Sequence, residues 1–130
     1  MRPPAIEKWF ALAEARDPGG LADLLADDVV FESPVVHTPQ KGKAITTKYL
    51  ASAVLVLGNE HFRYVGEWFG PSSGVLEFQT VINGVSINGV DIIAWNADDR
   101  ITRFKVMVRP LKAVNMLHQM MAAQLEARAG

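Results

Sequence analysis

The dipeptide Asn83-Gly84, set between two runs of alternating apolar residues, constrains this chain more than any other feature. Asn-Gly accepts positive φ at both central positions of a tight turn. VLEFQTVI before it and VSINGVDIIAWN after it are therefore predicted to fold back on each other as antiparallel strands. With a two-residue turn, Ile82 pairs with Val85. Counting outward by twos then places Leu76, Phe78, Thr80, Ile87, Asp91, Ile93 and Trp95 on one face. Glu77, Gln79, Ser86 and Asn88 fall on the other. The polar turn NADDR leads into ITRFKVMVR, where Phe104, Val106 and Val108 alternate with Arg103, Lys105 and Met107, and HFRYVGEWFG upstream supplies a further strand. An antiparallel meander with one greasy face results, and a one-residue bulge would invert part of it.

Helical spacing surrounds this meander. Ile6, Trp9, Phe10 and Ala13 follow Pro3 and Pro4 and stop at DPGG, residues 17–20. Leu21, Leu24 and Leu25 suggest a short second helix closed by Asp27 and Asp28. VVFES then reads as a strand entering the loop SPVVHTPQKGK, and a third helix follows at about 43–57. After Pro110 the stripe Leu111, Val114, Leu117, Met121 and Leu125 predicts a closing helix. Helices gathered before and after a run of hairpins define an α+β fold. We expect a cone-shaped, curved antiparallel sheet wrapped around the N-terminal helices, with an added C-terminal helix. No repeat or linker divides the chain, and 130 residues with 49% hydrophobic composition suit one domain, 1–130.

Thirteen basic against fourteen acidic side chains, with no basic block, argue against nucleic acid or an anionic membrane as partner. The absence of cysteine excludes disulfides, thiolate metal sites and a Cys nucleophile. The start MRPPAIEKWF lacks the apolar run of a signal peptide, from which a cytoplasmic location is expected. LASAVLVLG, the longest apolar run, is far short of the roughly 18 residues of a membrane span. His37, His61 and His118 are widely separated with no ligand spacing, and no glycine-rich phosphate loop occurs, so neither a metal nor a cofactor is expected.

Asp91 is the anomaly, a carboxylate among residues that strands prefer and interiors accept. One reading is a neutral acid donating a hydrogen bond inside a ligand cavity; the other is a carboxylate at the sheet's rim bonded to a backbone N–H or a Trp. His37, in VVHTP, is either a proton acceptor at the cavity mouth or a solvated loop residue. Ser33 before Pro34 reads as a turn element, since no nucleophile elbow accompanies it. Trp9 follows core spacing and is a candidate wall, packing or aiming its indole N–H at a ligand.

Two stretches, IEKWFALAEARDPGGLADLLADDVVFESPVVHTPQKGKAI (6–45) and VDIIAWNADDRITRFKVM (90–107), resemble the family that includes nuclear transport factor 2, ketosteroid isomerase, scytalone dehydratase and the SnoaL-type polyketide cyclases. The resemblance covers most of the chain and implies the NTF2-like, cystatin-like cone. Against the isomerase pattern, Asp91 falls where the family keeps a protonated Asp that hydrogen-bonds the substrate oxyanion. Trp9 falls in place of a tyrosine on the first helix, Ser33 in place of the general-base Asp, and Leu50 in place of a second tyrosine. Ser33 with no adjacent base cannot shuttle a carbon acid's proton at neutral pH, which argues against steroid isomerisation. The cyclases keep an acid near the end of the last strand, where FKVMVRP offers only Lys105 and Arg109.

The sequence thus points to a protein binding a small hydrophobic molecule, of polycyclic or terpenoid-like kind. Asp91 and His37 are the candidate catalytic pair, and Trp9, Ser33, Leu50, Phe78, Trp95, Phe104, Val106 and Val108 the candidate ligand contacts. An isomerase, cyclase or hydrolase would use that cavity, and so would a binding module with no chemistry. The outer sheet face and last helix suggest a homodimer.

Overall fold

The computed structural model describes residues 2–129. Helix α1 (Pro4–Ala15) has a proline at its first position, where a missing N–H costs nothing, and it buries Ala5, Ile6 and Trp9. It ends at Arg16 in the left-handed conformation, whose N–H returns to the Ala13 carbonyl. A single 3-10 turn (Pro18–Gly20) and the short α2 (Leu21–Leu24) lead directly into β1 (Leu25–Glu32). Asp27 and Asp28, expected to close α2, lie inside β1 and are exposed, because the strand's register shifts between Leu25 and Val30 and turns the two acids outward. The two-residue β2 (Gln40–Lys41) precedes α3 (Lys43–Leu57), which has the expected limits.

The meander follows as β3 (Arg63–Phe69), β4 (Ser73–Ile82), β5 (Val85–Trp95) and β6 (Ile101–Arg109), closed by α4 (Leu111–Ala129). Asn83 and Gly84 have φ of 50° and 76°, the turn that Asn-Gly favours, and Ile82 pairs with Val85. That register sets the faces: Leu76, Phe78, Thr80, Ile87, Asp91, Ile93 and Trp95 are all buried. Gly89 is needed at its position, since a Cβ there would stand 2.5 Å from the Met107 carbonyl oxygen and 2.6 Å from the Phe78 ring. Its absence leaves room for the Phe78 ring.

The sheet order is β2-β1-β6-β5-β4-β3, curved and unclosed over the helices. The β3 to β6 pairings are antiparallel as expected, whereas β1 runs parallel to β6, so the sheet is mixed. A parallel neighbour needs a long connection, and the whole run from β2 through β5 supplies it. Among the described residues no helix is long and apolar enough to cross a membrane.

Candidate ligand cavity

Where the inner face of β4, β5 and β6 meets α1, α3 and α4, the side chains leave a cavity of about 70 Å³. Trp9, Leu50, Phe78, Phe104, Val106 and Val108 line it, with Ser33, Pro34 and Val35 from the loop after β1 and Leu117 and Met121 from α4. Asp91 is the one carboxylate among the described lining residues. Trp9 packs edge-on against Phe104 at 4.8 Å, which fixes the indole in the wall.

Tyr64 of β3, not singled out from the sequence, completes the arrangement. Its hydroxyl accepts a hydrogen bond from Trp9 Nε1 at 2.8 Å and donates one to Asp91 Oδ2 at 2.6 Å. Trp9 can only donate and an ionised Asp91 can only accept, so the tyrosine, able to do both, links them in the one order their chemistry allows. Phe10 and Phe62 meet the Tyr64 ring edge-on at 4.9 and 5.1 Å and hold it in place. Asp91 Oδ1 has no protein hydrogen bond among the described residues, and the carboxyl lines the cavity.

Burial pushes the Asp91 carboxyl up to about 7, with the Tyr64 hydrogen bond pulling the other way. The Tyr64 phenol is held well above its ordinary range by burial, then by the charge and hydrogen bond of Asp91. Tyr64 therefore stays protonated as a donor, while Asp91 changes protonation near neutrality.

Other sequence-derived candidates lie elsewhere. His37 is exposed in the loop after β1 and is not part of the wall, since only Ser33, Pro34 and Val35 of that loop turn inward. Ser33 does line the cavity, but its Oγ accepts the Val35 N–H at 3.1 Å, which makes it a turn-forming hydroxyl. Trp95 shares Asp91's face and is buried, yet lies outside the lining. Four strand residues carry it about 13 Å further along β5, where it pairs with Ile101 in a filled part of the core.

A curved, open sheet folded over helices, with a cavity between them, is the architecture of the NTF2-like superfamily. The model of the SnoaL-like domain matches residues 6–104, and the chain belongs to that family. Among solved structures it is similar to a steroid delta-isomerase from Pseudomonas aeruginosa, at 32% identity over 96% of this chain and 91% of that one, with a TM-score of 0.90. It is also similar to an uncharacterised bacterial protein of cystatin-like fold from Silicibacter pomeroyi DSS-3, at 30% identity, 93% and 84% coverage and a TM-score of 0.85. SalBIII, an epoxide hydrolase/cyclase-like enzyme of pyran ring formation in the polyether salinomycin, shares the fold alone, at 16% identity over 81% and 88% with a TM-score of 0.65. No curated protein matches the chain.

Proposed function

We propose that the protein binds a small apolar compound carrying a carbonyl, epoxide or hydroxyl oxygen, and that Asp91 is its acid–base group. The observation that carries this reading is the carboxyl itself, buried in an otherwise apolar wall, with Oδ2 held by Tyr64 and Oδ1 without a protein partner. A group titrating near 7 can give or take a proton at neutral pH with the smallest free-energy penalty. Protonated, Asp91 donates to the ligand oxygen and draws electrons from the adjoining carbon, which favours ring opening, cyclisation or isomerisation. Ionised, it accepts from a hydroxyl. Tyr64 offsets part of the desolvation of that charged form, and Trp9 keeps Tyr64 oriented.

The similarity to a protein described as a steroid delta-isomerase makes ketosteroids natural test compounds. Steroid isomerisation asks for one group to polarise the carbonyl and another to carry the proton between carbons, and the described wall holds one carboxylate. Slow or absent isomerisation of a 5-ene-3-ketosteroid is therefore expected, with Ser33→Asp raising the rate. The decisive experiment is a panel of apolar epoxides, ketones and alcohols assayed for turnover and, by calorimetry, for binding. Turnover that drops about 10²- to 10⁴-fold in Asp91→Asn supports the acid–base role. Binding with no turnover of any compound would mark a binding module, and no binding at all would overturn the reading.

We also propose that copies associate as a homodimer through the outer sheet face, which exposes Trp68, Val81 and Met107. A monomeric mass by light scattering at high micromolar concentration would overturn that arrangement.

A further inference from the structure

A second recess adjoins the Asp91 cavity on the side away from α4. It lies between the C-terminal end of α1, the segment after α3 and the start of β3, and measures about 250 Å³. Ala13, Gly58, Phe62 and Tyr64 belong to both walls, so the two spaces share a partition. Phe62 stands at this partition, stacked on Phe78 at 5.5 Å on one side and edge-on to Tyr64 on the other. Alone, the inner cavity is smaller than the roughly 300–1,000 Å³ of sites for drug-sized ligands, and only when joined to the recess does it reach that range.

The recess differs from the cavity in charge. Arg16, Arg63 and Glu14 line it, all three exposed to solvent, so the formal charge of its lining is a single positive one. Arg2 and Arg103 each hold a glutamate at 2.8 Å, but neither Arg16 nor Arg63 has an ion-pair partner among the described residues. Arg16 also sits at φ 55° in the left-handed region, at a helix end where glycine or asparagine is the usual residue.

We propose that this recess is an anion subsite, and that the ligand is an amphiphile whose apolar body enters the Asp91 cavity past Phe62 while a carboxylate stays at Arg16 and Arg63. A monoanion matches the single excess positive charge, and a guanidinium fork matches the two carboxylate oxygens. The inference rests on the Asp91 cavity being the binding site, and it narrows the substrate class to apolar monocarboxylic acids.

The test is calorimetric titration of the full chain with decanoate and with decanol at pH 6, where the probe acid is ionised and Asp91 largely protonated. Decanoate should bind about tenfold more tightly or better, an advantage that 0.5 M salt reduces. Arg63→Gln and Arg16→Asn, the latter suited to the left-handed backbone, should each weaken decanoate about fivefold and together about twentyfold, with decanol unchanged. Glu14→Gln should strengthen decanoate. Decanol binding with no preference for decanoate, or a preference that survives loss of both arginines, overturns the anion subsite and leaves the Asp91 cavity standing. If neither probe binds, the anion subsite falls, and the Asp91 cavity is judged by the panel of epoxides, ketones and alcohols.

Discussion

Asp91 and Trp95 stand four residues apart on the same face of the same strand, both buried, and differ in what lies above them. Beside Trp95 the core is closed: its partner Ile101, Leu25 on the next strand and Ile93 are all without exposed surface. Over Asp91 the helices leave room, and the side chain that fills this place on the strand is the one most costly to bury. Thr80 makes the same point from β4. It too is polar and buried, but its hydroxyl reaches Asn59 Oδ1 at 2.9 Å, and Asn59 in turn bonds the Val81 carbonyl, so the group only pins the loop after α3 to the sheet. A buried polar side chain whose bonds are all made within the protein is structural. One with an oxygen left over beside open space is a candidate for chemistry.

The comparison breaks most visibly if the two ends are cut separately. Trp95→Ala should cost about 3–5 kcal/mol of stability, as large-to-small changes in a filled core do, and leave ligand affinity of the folded protein unchanged. Chemical denaturation together with calorimetry decides this, and a loss of affinity greater than the loss of folded protein would put Trp95 in the site after all.

Asp91 makes the opposite contribution. Its carboxyl is lifted from the ordinary 3.8 to about 7 by burial, so between those values the folded chain holds a proton that the unfolded chain has released. The associated stability is complete below about pH 4 and lost as pH rises through about 7; at 1.36 kcal/mol per unit the fall is about 4 kcal/mol at most. Asp91→Asn keeps a group that can accept from Tyr64 and cannot ionise. The variant should therefore lose this slope, and at pH 8 it should be more stable than the parent. Urea unfolding of both proteins at several pH values measures the difference. Equal slopes would mean that water or another group neutralises the burial.

How far these two ends can be told apart from residues alone follows from what sets each. The Asn83-Gly84 turn and the period of two carry the inner face of β4 and β5 without ambiguity, because any slip would bury Glu77 and Asn88. Trp9, Phe78, Phe104 and Asp91 are legible for the same reason or from helical spacing. Tyr64 was hidden by a bulge. Counting back from the β3–β4 turn through Phe69, Trp68, Glu67 and Gly66 sets Val65 opposite Phe78, an apolar residue in a place that suits it. The register shift between Tyr64 and Gly66 instead pairs Tyr64 with Phe78 and leaves Val65 47% exposed. The parallel pairing of β1 with β6 and the bulge that turns Asp27 and Asp28 outward were equally out of reach, since both depend on partners far away in the chain. Which end of the greasy face stays open depends on where α3 and α4 lie, and no local pattern encodes that.

A finer cut falls within the open end. Tyr64→Phe keeps the ring among Phe10, Phe62 and Phe78 and removes only the hydroxyl. Trp9 Nε1 then loses its acceptor while remaining buried, a cost of about 1–3 kcal/mol. Asp91 loses the bond that favours its charged form, so its titration should move further up. Carboxyl carbon NMR as a function of pH reads this directly, and an unmoved or lowered Asp91 would show that Tyr64 does not tune it.

The smallest effect is expected at His37, and it bounds the open end on the solvent side. Imidazole suits proton transfer near neutral pH, and the loop that carries it also sends Ser33, Pro34 and Val35 into the cavity wall, so proximity in the chain favours a role. Geometry does not: the side chain is exposed and stands outside the lining, and no described residue orients it toward Asp91 Oδ1. His37→Ala should therefore change stability by no more than about 0.5 kcal/mol, as surface substitutions do. Ligand affinity and any turnover should change less than twofold. A positioned general base is worth about 10²- to 10⁴-fold, so the two possibilities are separated by more than any assay error. A loss of that size in His37→Ala, with binding retained, would mean that the loop folds inward over a bound ligand and that the acid–base pair is Asp91 with His37.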